Sequence, residues 1–272
     1  MKQKPRRFVP RRKWLYPFGV EREYQRFAKL LTKTMLEATK EELDRFRRLA
    51  VNSALKADSI SEDILSIMQD IKKRFNGKIT AAQITAELKR IAQQAGNFNS
   101  QQYRAVMRSA LQVDIFQHEP WLNELANMWT TENARLITTI PEQFYGEIEG
   151  VVSRGLMDGT LTDGLGEQIE RVYGVSERRA QLIARDQVGK LNGDLTMYRQ
   201  TTIGIESYVW STSKDQRVRP DHADREGKEY RWDMPPSGGQ APGKEIYCRC
   251  VALPVIDLDK IHYVGMPGGI KL

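Results

Sequence analysis

The sequence predicts a mainly α protein, an elongated helical body that carries a small C-terminal α+β module. Three observations lead there. Apolar residues recur at three- and four-residue steps from Glu21 to Tyr198. After Gly204 that period gives way to alternation among β-forming residues, broken by loops rich in Gly and Pro. The excess positive charge is confined to one end. Residues 1–20 hold seven Lys and Arg and no acid, whereas the remaining residues carry 35 basic and 35 acidic side chains (42 less 7, against 35).

The first twenty residues therefore read as a basic N-terminal arm. Lys2, Lys4, Arg6, Arg7, Arg11, Arg12 and Lys13 are the candidate contacts to DNA or another polyanion, because a clustered cationic segment has too little to bury for independent folding. Trp14, Tyr16 and Phe18 follow as anchors that dock the arm on a surface. The arm lacks the apolar stretch of a secretory signal, and no run approaches the ~18 apolar residues of a membrane span, so a cytosolic protein without membrane contact is expected.

Residues 21–140 read as the helical body. Tyr24, Phe27, Leu31, Met35 and Ala38 make the first stripe. After a slip of register, Leu43, Phe46 and Leu49 continue it, and an unbroken helix to Ala57 would be roughly 50 Å long. A helix of that length exceeds what a compact domain covers, so Tyr24, Phe27 and Phe46, with Trp14, are expected to face a partner chain. Further helices are expected up to Asn76-Gly77, from Thr80 to Gly96, from Ser100 to Leu111, and from Pro120 through Trp129. Residues 141–203 restart the pattern at Pro141. They pause at Gly159 and Tyr173-Gly174, then give the cleanest stripe of the chain, from Ala180 to Tyr198. Residues 204–256 form the α+β module, with strands expected over Ile205–Trp210, Glu229–Trp232 and Ile246–Val255, and residues 257–272 form a tail.

The densest chemistry lies between Trp210 and Cys250. The two cysteines of the chain are spaced Cys248-Arg249-Cys250, so in extended backbone both sulfurs face one side and Arg249 the other. A disulfide between them would be strained, with Cα atoms about 6.6 Å apart. Together with His222 they offer three corners of a zinc tetrahedron, with Asp215 as the fourth ligand, or else Asp221, His262 or water. The other reading of the same residues is two small packing thiols beside a hydrogen-bonding histidine, since one His and one C-x-C make a weak metal signature. Asp215, His222 and Glu226 could also be drawn as a nuclease set, although no second histidine is at hand to act as base. Arg217, Arg219 and Arg225 face either phosphates or their own acidic neighbours.

The stretch from about Pro141 to Pro254 resembles the head morphogenesis proteins of tailed phages, the phage Mu protein F-like family. The residues that carry the resemblance are GLMDGTLTDGLGEQI, then QLIARDQVGKLNG, then Gly204, W-S-T, Asp215, R-V-R-P, His222, E-G-K, a Pro/Gly loop and C-R-C. Asp186-Gln187 departs from the Thr-Glu more usual there, which weakens any role for an acid at position 187. The resemblance implies a non-enzymatic minor head protein in the virion, in the capsid interior near the portal vertex and made in the host cytoplasm. It would be present in few copies around the portal, with portal protein, major capsid or scaffold protein and phage DNA as partners. It implies roles in head morphogenesis and in DNA packaging or ejection, and carries the metal reading onto His222, Cys248 and Cys250 alone. The alternatives are a metal-dependent nuclease or other hydrolase acting during packaging, and a simple DNA-binding protein.

Overall fold

The computed structural model describes residues 6–52, 60–112, 119–158 and 164–261. It is mainly helical, as expected, with a small antiparallel sheet. The elements are β1 (Arg7–Phe8), α1 (Phe18–Glu41), α2 (Leu43–Asn52), α3 (Ile60–Lys78), α4 (Ala81–Leu111), α5 (Trp121–Met157), α6 (Leu165–Thr202), β2 (Ser207–Ser211), α7 (Pro220–Arg225), β3 (Glu229–Arg231) and β4 (Val251–Asp257). No described helix is long and apolar enough to cross a membrane.

Two compact units interleave along the chain. One gathers the described residues of 1–21, 90–129 and 185–272; the other gathers those of 22–89 and 130–184.

In the second unit, apolar stripes close a core around Tyr24, Leu31, Met35, Phe46, Ile71, Phe75, Phe144 and Ile148, all buried. The Tyr24 hydroxyl donates to Asn133 Oδ1 at 3.0 Å, and Phe75 meets Tyr145 edge-on at 6.2 Å. The slip of register after Ala38 is where the expected long helix divides, since α1 ends at Glu41 and α2 begins at Leu43. Glu42 sits at the joint with its carboxylate buried. Arg45 (2.8 Å) and Arg74 (2.7 Å) both donate to it, which meets the cost of a buried charge. Thr80 opens α4 with a capping box: Gln83 N donates to Thr80 Oγ1 at 3.2 Å, and Thr80 N donates to Gln83 Oε1 at 2.8 Å.

Three expected helix breaks do not occur. Gly96 lies inside α4, Pro141 inside α5, and Gly174 inside α6. The stripe decides these cases. Around Pro141, Ile137, Ile140, Phe144, Ile148 and Val152 are all buried at helical spacing. Each such side chain is worth about 1.5–3 kcal/mol on burial, together more than the ~3 kcal/mol that an interior proline costs. A glycine costs only ~1 kcal/mol, so the helix runs through Gly96 and Gly174 as well.

In the first unit, the sheet order is β1-β4-β2-β3, antiparallel throughout. The basic arm thus enters as an edge strand, Arg7 opposite Asp257 and Phe8 opposite Ile256. Arg6 pairs with Asp259 and Arg7 with Glu229. Trp14 and Tyr16 are buried, so they anchor the arm to its own chain. The expectation that Trp14, Tyr24 and Phe46 face a partner is overturned by this burial, and Phe27 is half-buried. Apolar stripes of this kind found internal cores. Lys2 and Lys4 lie outside the described residues, whereas Arg11, Arg12 and Lys13 are exposed.

A polar network unannounced by the hydrophobic pattern joins α4 to α6 in this unit. Arg199, fully buried, donates to Asn99 Oδ1 (2.6 Å) and to Glu119 Oε2 (2.7 Å). Asn99 Nδ2 donates to Asn192 Oδ1 (2.9 Å) and Thr196 Oγ1 (2.8 Å). The Arg199 guanidinium also lies 5.7 Å from the Trp121 ring, which stacks on Tyr198.

Candidate metal centre and its cavity

The module is built on α6. Gly189 and Gly193 are four residues apart and so share one helix face, and the loop ahead of β4 lies directly on it. A Cβ at Gly189 would stand 2.8 Å from the Cys248 carbonyl oxygen, and one at Gly193 would stand 2.8 Å from that of Pro242. Gly243, at φ +87, makes the turn that this approach requires. Small residues on the helix thereby set the height at which the cysteines sit.

His222 comes from α7, which Pro220 opens at its first turn. The helix buries this histidine against Trp210 of β2, ring centroids 5.1 Å apart. Cys248 and Cys250 precede β4, which begins at Val251 and not at the expected Ile246 because a turn occupies residues 245–247, and they are buried in the same cluster as Tyr208, Trp210 and Ala252. His222 Nδ1 lies 3.6 Å from Cys248 Sγ and 3.5 Å from Cys250 Sγ. Gly243 N donates to Cys248 Sγ at 3.3 Å. Trp210, His222, Cys248 and Cys250 are thus brought together.

The other histidine nitrogen is held too. Nε2 lies 3.0 Å from Glu245 Oε2 and 3.1 Å from Arg219 Nη2. Glu245 also accepts from Arg219 at 3.0 Å and from Arg225 at 2.9 Å. Burial works against the Glu245 charge, but hydrogen bonds from Arg225 and His222 outweigh it and bring its pKa down to about 2. The bond to Cys248 raises the His222 pKa; burial opposes that, and Glu245 supports it. Cys248 falls to about 5, first through its contact with Cys250 and, against burial, through His222 and the Gly243 N–H; Cys250 is pushed up by the neighbouring Cys248 sulfur and by burial.

Zinc bonds of about 2.3 Å to sulfur and 2.0 Å to nitrogen, at tetrahedral angles, place N and S about 3.5 Å apart. Both N···S separations here match that edge. Glu245 on the far nitrogen is the carboxylate that commonly fixes a ligating histidine. The donor set His222, Cys248 and Cys250 fits zinc.

Asp215 does not join this set. Its Oδ1 accepts from Arg217 N at 2.9 Å, and its Oδ2 lies 3.7 Å from Arg249 Nη1. Asp221 and Glu245 group with His222 on the Nε2 side instead, and His262 lies outside the described residues. Glu226, drawn above as part of a nuclease set, accepts from Thr212 N and pairs with Lys214 at 3.5 Å.

Arg249 faces away from the sulfurs, as the alternation predicts. It pairs with the buried Glu21, Nε to Oε2 at 3.0 Å, and its guanidinium lies 5.3 Å from the Phe18 ring. A cavity of about 300 Å³ opens over the donors, with Arg185, Arg217, Arg219 and Arg249 in its lining. The loop-helix glycine face, the Glu245 clamp and the role of Glu21 escaped the sequence reading. The only available signal for the first was the four-residue spacing in QVGKLNG.

Residues 146–253 match the family described as phage Mu protein F like protein, a range that takes in His222, both cysteines and all of α6. A curated protein of Haemophilus influenzae, described there only as an uncharacterized protein, is 38% identical over 141 residues, 52% of this chain. The chain spans about a third (32%) of that relative's length. No solved structure matches. The stretch that carries the helix α6 platform, the histidine and the C-R-C pair is therefore the part of the chain that is similar to the phage Mu protein F like family.

Proposed function

We propose that the protein acts in phage head morphogenesis as a non-catalytic minor head protein of the virion, inside the capsid near the portal vertex and present there in several copies. The observation that carries this reading is the family match over residues 146–253. Portal protein is its main partner, with major capsid or scaffold protein second and packaged DNA as the polyanion; it contributes to packaging or ejection. Among the described residues of the basic arm, exposed Arg11, Arg12 and Lys13 are the ones left for DNA, since Arg6 and Arg7 are paired within the chain. In this reading zinc, held by His222, Cys248 and Cys250, closes the small module, which has little apolar core of its own. Both ring nitrogens of His222 are engaged, which supports a holding role over proton transfer. Mass spectrometry of purified particles, before and after DNA release, tests the proposal. The protein should be found at low copy and co-purify with portal protein; particles that lack it would overturn the reading.

A further inference from the structure

The cavity beside the cysteines holds more cationic groups than its acids match. Arg249 is paired with Glu21 and Arg219 with Glu245. Arg185 and Arg217 are different. Arg185 donates Nη2 to the Tyr247 carbonyl at 3.1 Å, and its Nε is buried with no hydrogen-bond partner. Arg217 is exposed, and among the described residues neither it nor Arg185 has a carboxylate at ion-pair distance. Burial lowers the Arg185 pKa, with the positive charge of Arg249 acting in the same direction and Arg217 adding a smaller push, while Glu21 and Tyr16 oppose them.

The backbone shows a second, independent sign. Tyr247, on the cavity wall, has φ +61, and Lys214, between the lining residues Ser213 and Asp215, has φ +58. Neither is a glycine, and such conformations in non-glycine residues concentrate at ligand sites. At Tyr247 the result is visible: its carbonyl and ring both engage the Arg185 guanidinium, the ring at 5.4 Å, and hold it in place.

We infer that this cavity binds a phosphate monoester dianion, with Arg185 and Arg217 as its two guanidinium clamps. Two uncompensated guanidiniums match a doubly charged phosphoryl group, whereas a single carboxylate would leave one of them unmatched. The same chemistry is offered by free inorganic phosphate and by the terminal phosphate of a nucleic-acid strand. The inference does not depend on the head-protein reading.

The test uses the full chain with two probes: inorganic phosphate, and a fluorescent 12-nucleotide DNA strand with or without a 5′-phosphate. Phosphate should raise the melting temperature above that in chloride of equal ionic strength, and the 5′-phosphorylated strand should bind about tenfold more tightly than the unphosphorylated one. Arg217→Glu and Arg185→Gln should each abolish the preference, while the exposed Lys228→Glu, which changes the charge as much as Arg217→Glu but outside the cavity, should not. Melting of each variant without ligand shows whether it folds, and Arg185→Lys provides the conservative substitution should Arg185→Gln unfold. Loss of the phosphate response alone assigns free phosphate; loss of the 5′-phosphate preference alone assigns a strand end. Equal binding of the two strands with no phosphate response, or equal loss in Lys228→Glu, overturns the inference.

Discussion

Arg249 and Glu21 form a two-pronged ion pair although 228 residues separate them. Both side chains are nearly buried, at 10% and 3% exposure, so the pair fastens the start of α1 to the backbone that carries the cysteines. Removing one partner strands a buried charge, which costs about 3–5 kcal/mol. Arg249→Ala and Glu21→Ala should each lose that much stability in urea unfolding, and the double variant should lose less than the two losses added together. Strict additivity would mean that the two residues act separately.

Zinc content is the next expectation. Elemental analysis should find about one zinc per chain, and cobalt substitution should give thiolate-to-metal absorption bands. His222→Ala or Cys248→Ser should abolish both and lower the melting temperature; a chelator should do the same to the native protein. A metal-free protein that melts identically with and without zinc would leave the three residues as a packing cluster.

Gly193→Ala tests the platform. Its new methyl would stand 2.8 Å from the Pro242 carbonyl oxygen, so the loop must lift from α6. The expected cost is about 1–3 kcal/mol, as for other overpacked contacts. Because the same loop carries Cys248, zinc affinity should fall while helical circular dichroism is retained. Unchanged zinc affinity would show that loop height and donor geometry are independent.

Glu119→Gln addresses the buried Arg199, which would then keep only neutral acceptors. A loss of about 3–5 kcal/mol is expected. Arg199→Met, which removes the charge itself, should cost less than Glu119→Gln if desolvation of the guanidinium dominates. The reverse order, read from urea midpoints, would show that Arg199 contributes mainly through Asn99 and Trp121.

The sequence by itself determined helix identity, the switch to β structure after Gly204, and the meeting of Trp210, His222, Cys248 and Cys250. The first two follow from local periodicity, which needs no partner to be read; the third was legible from residue type, since two thiols and an imidazole are a natural donor set. The register slip between Ala38 and Leu43 was visible as well, but the sequence reading still carried the helix to Ala57, and the break at Glu42 was decided by the fold. Tertiary structure alone decided whether Gly96, Pro141 and Gly174 would end helices, because burial along a stripe outweighs a local penalty of ~1–3 kcal/mol and burial is not local. It likewise decided that Trp14, Tyr24 and Phe46 would fill this chain's own cores, that the arm would become an edge strand, and that Asp215 would turn to Arg249 while Glu245 took the histidine. Each of these is a choice among chemically equivalent partners, and the folded chain makes it by which of them it brings within reach.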